Sequence, residues 1–281
     1  MRALTFLARR FVAGDKASEA VAAVRKLNEK GIKATLDFLG EECLDREHAE
    51  GAVQEVLGLL RLIAEHKVNA NVSIKLTQLG LSLDMELARK NLKTILDEAA
   101  RLGNFVRVDM EGSAYTQKTL DLFNEAFAKS KNTGIVIQAS LLRSRADIEA
   151  LNKAGARVRL CKGAYKEPPS VAHQVKEEVN ANFDALARLM LDSGIYHALA
   201  THDDERIEAA IRYAKEKGIG KDRFEFQMLY GLHTKRWPEL VAEGYTVRIY
   251  VPYGTHWFPY FYRRIRERKE NLMFVLRNLF N

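Results

Sequence analysis

The chain has 281 residues, 47% hydrophobic and 29% charged, with 44 Lys and Arg against 37 Asp and Glu for a formal charge of +7, the composition of a soluble globular protein. Its two cysteines, Cys43 and Cys161, cannot build a disulfide framework or a zinc site, and no apolar run reaches the roughly 18 residues of a membrane span, so a cytoplasmic protein is expected. Basic residues are interleaved with acids and no nucleic-acid motif accompanies them, which excludes nucleic acid as the main partner.

In chain order, an amphipathic helix is expected at about 16–30. After it, short β-branched segments alternate with longer stretches of helical period, the pattern of a parallel sheet. The expected strands are 33–39, 71–77, 105–110, 135–140, 157–162, 196–201, 223–229 and 246–251. Helices are expected at 45–66, 84–101, 115–130, 145–154, 171–193, 203–217 and 235–243, then near 257–268 and 270–280. Eight such units close a barrel, and α/β barrels of about 250 residues form one unit. With no Pro- or Ser-rich linker, the chain reads as a single (β/α)8 domain over 1–281: an N-terminal helical segment at 1–31, then barrel and C-terminal helices at 32–281.

Strands of an all-parallel sheet are usually apolar on both faces, and these are not. Val72, Ile74 and Leu76 alternate with Ser73, Lys75 and Thr77, and Val106, Val108 and Met110 with Arg107 and Asp109. Phe224, Phe226 and Met228 alternate with Glu225, Gln227 and Leu229, and Val247, Ile249 and Val251 with Arg248 and Tyr250. With a side-chain period of 2, the apolar set faces the helices and the polar set the barrel interior. Asp37, Lys75, Arg107, Asp109, Gln138, Arg159, Glu225, Gln227 and Arg248 must then pair with one another or with a polar ligand. Two readings follow: a buried ion-pair network without chemistry for the deep members such as Arg107 and Arg248, and a functional site for those at C-terminal strand ends, where barrel enzymes place their chemistry.

Some tempting signals carry little. Gly218-Ile219-Gly220-Lys221 lacks phosphate-loop spacing and reads as a helix stop. Cys161 reads as a small core residue, and Asp203 or Asp204 as a helix N-cap, so no metal is assigned.

Seven segments stand in the order found in proline dehydrogenase: 73–77 (SIKLT), 106–111 (VRVDME), 159–165 (RLCKGAY), 201–203 (THD), 224–231 (FEFQMLYG), 247–254 (VRIYVPYG) and 262–268 (YRRIRER). The chain resembles the compact, monofunctional bacterial members of that family from about residue 9 onward; the stretch 257–262 departs from longer members. The resemblance implies a distorted (β/α)8 barrel with non-covalent FAD. It also implies oxidation of L-proline to Δ1-pyrroline-5-carboxylate by hydride transfer, the first step of proline catabolism, with electrons passed to a membrane quinone and weak peripheral association at the inner membrane face.

Position by position, the resemblance places Lys75, Asp109, Leu229, Tyr250, Tyr260, Arg263 and Arg264 around proline, with Asp109 and Arg159 as catalytic residues. Asp109 is expected to hold Lys75, Tyr250 and Leu229 to form an apolar wall, and the arginines to grip the carboxylate. For FAD it implies Met110 through its backbone, Gln138, Arg159, Lys162, Gly163, Ala164, Thr201 and His202, with Lys162 and His202 neutralising phosphate oxygens. On the residues alone two other functions stay open. One is a Schiff-base aldolase or phosphate-binding barrel using Lys162 or Lys75. The other is a basic module recruited to anionic membrane, with 271–280 as its amphipathic segment.

Overall fold

The computed structural model describes residues 8–40 and 42–267, with side chains up to residue 263. Eight parallel strands pair in sequence order and close into a barrel: β1 (Lys33–Phe38), β2 (Ala70–Ile74), β3 (Val106–Val108), β4 (Thr133–Gln138), β5 (Arg157–Cys161), β6 (His197–Ala200), β7 (Phe224–Leu229) and β8 (Thr246–Tyr253). β8 closes on β1, from Arg248 beside Lys33 to Tyr253 beside Phe38. Helix α1 (Ala17–Asn28) precedes the barrel. Between the strands lie α2 (Arg46–His66), α3 (Met85–Arg101), α4 (Ser113–Lys129), α5 (Ser144–Lys153), α6 (Lys176–Asp192), α7 (Asp204–Glu216) and α8 (Arg236–Ala242). Helix α9 (Phe258–Glu267) follows β8, and the helix expected over 270–280 lies outside the described residues.

The period-2 alternation explains the packing. Val72, Ile74, Val106, Val108, Phe224, Phe226, Val247, Ile249 and Val251 are at most 2% exposed and share one core with helix residues such as Leu60, Leu92, Phe123 and Leu186. Each such burial contributes about 1.5–3 kcal/mol. Helix ends are set locally. Asp45, Asp84 and Asp203 accept backbone N–H groups at the starts of α2, α3 and α7, and α2 stops at Lys67 with φ of +51°. The expected stop at Gly218 is also seen, with φ of +65° just after α7.

Three of the boundaries that differ from expectation have a clear physical cause. β2 ends at Ile74 because residues 76–81 turn on themselves, with Leu79 and Leu81 N–H both donating to the Leu76 carbonyl. α6 begins at Lys176 rather than 171. The preceding residues are committed to the end of β4: Leu142 N–H donates to the Val171 carbonyl and His173 N–H to the Ser140 carbonyl. β8 runs on to Tyr253 through Pro252, whose missing N–H is tolerated while its carbonyl accepts from Ala13. This ties the N-terminal segment to the barrel rim. Gly231 completes that tie: with φ of +76°, a Cβ there would collide with the Arg10 carbonyl.

The polar strand residues fill the interior in two levels. At the N-terminal level Glu225 accepts from Arg248 Nε and Nη2 at 2.8 and 3.2 Å, from Gln227 Nε2 at 2.5 Å and from the Tyr196 hydroxyl at 3.0 Å. Burial alone would raise the Glu225 pKa, but the Arg248 charge and these hydrogen bonds outweigh it and hold the carboxyl at about 2. Replacing Glu225 with Gln leaves Arg248 buried without its counter-charge. Urea denaturation at neutral pH is expected to show a loss of about 3–5 kcal/mol. Because the folded pKa is depressed, the native carboxylate's contribution is complete above its ordinary value of 4.5 and fades towards about 2. The gap between parent and Glu225→Gln should narrow across that window; a constant gap would contradict the ion-pair account.

Candidate active site

At the C-terminal ends of the strands a cavity of about 1090 Å³ opens into the barrel mouth. Small-molecule pockets run roughly 300–1,000 Å³, so this exceeds what one amino acid requires. Lys75, Asp109, Leu229, Tyr250, Tyr260 and Arg263, the residues expected around proline, all line it. So do Met110, Gln138, Arg159, Lys162, Gly163, Ala164, Thr201 and His202, expected around the cofactor. Arg264 lies on α9, but its side chain is outside the described residues.

A chain of charges crosses the floor of this cavity. Asp37 on β1 accepts from Lys75 Nζ with both oxygens, at 2.8 and 3.0 Å. Lys75 also donates to the Tyr250 hydroxyl at 3.3 Å, and that hydroxyl donates to Asp109 Oδ2 at 2.9 Å. Asp109 Oδ1 accepts from Ser73 at 2.7 Å and from Arg159 Nη1 at 2.9 Å. The expected ion pair of Lys75 with Asp109 is present at 3.7 Å, but Asp37 holds Lys75 more closely, and Asp109 is engaged chiefly with Arg159, Ser73 and Tyr250. Tyr250 likewise contributes its hydroxyl as well as its ring, over which Arg159 sits at 5.4 Å.

The network fixes protonation states. Burial lowers the Lys75 pKa, but the carboxylates of Asp37 and Asp109 more than offset it and hold the ammonium above its ordinary value. Burial, then the charges of Asp109 and Asp37, push the Tyr250 phenol well up, so it remains a donor. Arg159 is 5% exposed, and its Nε and Nη2 are buried without a hydrogen-bond partner. Buried guanidinium donors left unsatisfied are costly, and Arg159 is one of the residues that line the cavity.

The other lobe is built from loops after β4 to β7. Lys162 Nζ donates to Asn180 Oδ1 at 2.6 Å and to Asp203 Oδ2 at 2.5 Å, so Asp203 serves both as the expected helix cap and as a counter-charge. Gly163 has φ of +109°, and a Cβ there would strike the Ser140 hydroxyl, which lets backbone approach the lobe closely. Gln138 Nε2 donates to the Glu111 carbonyl at 3.0 Å. His202 Nε2 accepts the Leu229 N–H at 2.8 Å, which fixes the Nδ1–H tautomer: this ring presents a neutral donor here, not the charge expected of it.

Several residues at the site were given no site role from the sequence. Glu111 ties the ends of β3 and β2 together, accepting from the Thr77 N–H at 3.1 Å and from the Thr77 hydroxyl. Asn180 and His256 line the cavity from a helix and a loop, without a motif to mark them. Cys161, expected in the core, is the last residue of β5 and lines the cavity, where burial pushes its thiol up to about 12. Asp37 carried a signal, as an acid at an interior strand position near a C-terminal end.

Comparison with known proteins agrees with this geometry. The family model described as proline dehydrogenase matches residues 20–277. The chain is 43% identical over 272 residues to Proline dehydrogenase 1 of Bacillus subtilis (strain 168), spanning 97% of this chain and 90% of that one. It is 37% identical over 278 residues to the proline dehydrogenase of Deinococcus radiodurans, spanning 97% and 90%. Among solved structures, proline utilization A (PutA) of Bdellovibrio bacteriovorus, inactivated by N-propargylglycine, superposes with a TM-score of 0.87 at 27% identity, over 93% of this chain and 32% of that one. On sequence along nearly its whole length, and on a barrel whose mouth gathers the residues of the shared motifs, the chain belongs to the proline dehydrogenase family.

Proposed function

We propose that this chain oxidises L-proline to Δ1-pyrroline-5-carboxylate with a non-covalently bound FAD, passing the electrons on to a membrane quinone. The observation that carries the reading is Arg159: a guanidinium in the lining of a large cavity, anchored to Asp109 on one nitrogen, with two further buried donors unpartnered. Such donors suit an acceptor that gains negative charge during reaction. The remaining lining fits a dinucleotide as well. Gly163 gives a backbone cradle that a Cβ would fill, Lys162 supplies a cation for phosphate, and the volume exceeds that of a proline site.

In the reaction, proline loses a hydride from the ring CH2 carbon bonded to nitrogen and a proton from the nitrogen, and the nitrogen lone pair closes the C=N bond. Bound flavin would supply the two-electron acceptor. Arg263 and Arg264 would clamp the carboxylate with planar guanidinium forks. Leu229 and Tyr260 would shape the wall against the ring, and Met110, Gln138, Ala164, Thr201 and His202 would hold the cofactor. Asp109 would keep Arg159 oriented. Lys75, held as an ammonium by Asp37 and Asp109, would orient the substrate electrostatically and does not serve as the base. For the same reason it is not the neutral amine that a Schiff-base aldolase requires.

The direct test is the absorbance of the purified protein. Flavin bands that bleach on anaerobic addition of proline are expected; a folded protein that neither retains nor binds FAD would overturn the proposal. Carboxylate recognition is tested by Arg263→Met. Loss of a charge-assisted hydrogen bond of about 1.5–3 kcal/mol should lower kcat/KM for proline roughly ten- to hundredfold, with flavin content unchanged. Pyrrolidine, which lacks the carboxylate, should be a poor substrate of the parent and lose little more in the variant. Equal losses on both substrates would mean that Arg263 supports the fold or the cofactor instead.

A further inference from the structure

The opposite end of the barrel holds a second chamber, of about 190 Å³, at the N-terminal ends of the strands and away from the proposed proline and flavin residues. Arg107, Arg157 and Arg248 all line it, and Glu225 is the only acidic residue among its lining. Glu225 has no capacity left for a further partner. Its two oxygens already accept from Arg248 twice, from Gln227 and from Tyr196, which accounts for the roughly four acceptor positions of a carboxylate.

Two guanidiniums are therefore in excess. Arg107 is 4% exposed, donates through Nη1 to the carbonyls of Ile135 and Arg157, and has a buried Nε with no hydrogen-bond partner. Arg157 is held by aromatic rings, at 5.2 Å over Phe105 and 4.6 Å over Tyr196. Among the described residues no carboxylate or carbonyl pairs with its guanidinium. Burial, together with the charges of Arg159, Arg157 and Arg248, pulls the Arg107 pKa well down. Arginine does not release its proton in proteins, so the strain of like charges persists until an anion relieves it.

We propose that this chamber is a binding site for a small free oxyanion of the phosphate or sulfate class, seated between Arg107 and Arg157. The donor set matches: a planar guanidinium fixed by two rings offers the bidentate geometry that an oxyanion accepts, and the buried Arg107 guanidinium beside it adds positive charge. The size matches as well. The chamber has more than ten times the roughly 15 Å³ that one water needs, which admits an oxyanion with a few waters. Binding here would brace β3, β5, β7 and β8 against one another at the base of the barrel, a stabilising role separate from catalysis.

Calorimetric titration of the FAD-saturated protein, whose cofactor phosphate positions are filled, tests the site. Inorganic phosphate should bind saturably at one site, while chloride at matched ionic strength should not. Arg157→Gln should weaken phosphate roughly tenfold or more and leave proline turnover within about twofold of the parent. Arg157→Lys, which keeps the charge but not the fork, should fall between. Equal phosphate binding in parent and Arg157→Gln, or no saturable binding in the parent, would overturn the proposal. Methyl phosphate binding more tightly than inorganic phosphate would assign the chamber to a phosphorylated metabolite and overturn the free-oxyanion assignment.

Discussion

The structure turns on the buried run of alternating charge from Asp37 through Lys75, Tyr250 and Asp109 to Arg159. Each member, taken alone, would be expensive to bury; together they neutralise one another and are sewn across β1, β2, β3, β5 and β8. The arrangement commits Arg159 to a single orientation, because Asp109 takes one nitrogen and the Tyr250 ring lies beneath the guanidinium. Its remaining donors are thereby fixed in advance, and under the proposed function little reorganisation would be needed as charge develops beside the guanidinium. Catalysis by preorganisation requires such support from residues behind the reacting groups, and under the proposed function Ser73 and Asp37 would have that position.

The two ends of the barrel use the same residue types differently. At the C-terminal end, acids and bases on the network are matched, and the network lies at a cavity of about 1090 Å³. At the N-terminal end one saturated glutamate faces three arginines in a chamber of about 190 Å³. A barrel whose interior is polar over its whole height needs neutralisation at every level, since low dielectric magnifies any imbalance. Under the proposed function the mouth would be completed by what it binds, and the base by a small anion.

Much of this was legible in the sequence. Period-2 alternation in β2, β3, β7 and β8 separated helix-facing from interior residues, and the structure bears that out residue by residue from Val72 and Ser73 to Val247 and Arg248. Alternation cannot reveal which neighbour an interior charge selects. Lys75 follows a strand flanked by both β1 and β3, so Asp37 and Asp109 were equally available to it until the positions of Arg159 and Tyr250 were known. The late start of α6 was hidden for a related reason. Leu142 and His173 bond across a loop whose partners are about 30 residues apart, and local periodicity carries no trace of that. The neutral tautomer of His202 depends on a backbone N–H from another strand, again beyond the reach of spacing.

The central claim, that Arg159 is held ready for negative charge that appears only as hydride is transferred, is tested most directly by rapid mixing of Arg159→Met with proline under anaerobic conditions. The account predicts that flavin reduction slows by about two to three orders of magnitude while the dissociation constant of proline, read from the saturation of that rate, changes much less. An unchanged limiting rate with a weakened dissociation constant would contradict it, and would make Arg159 a ground-state binding residue.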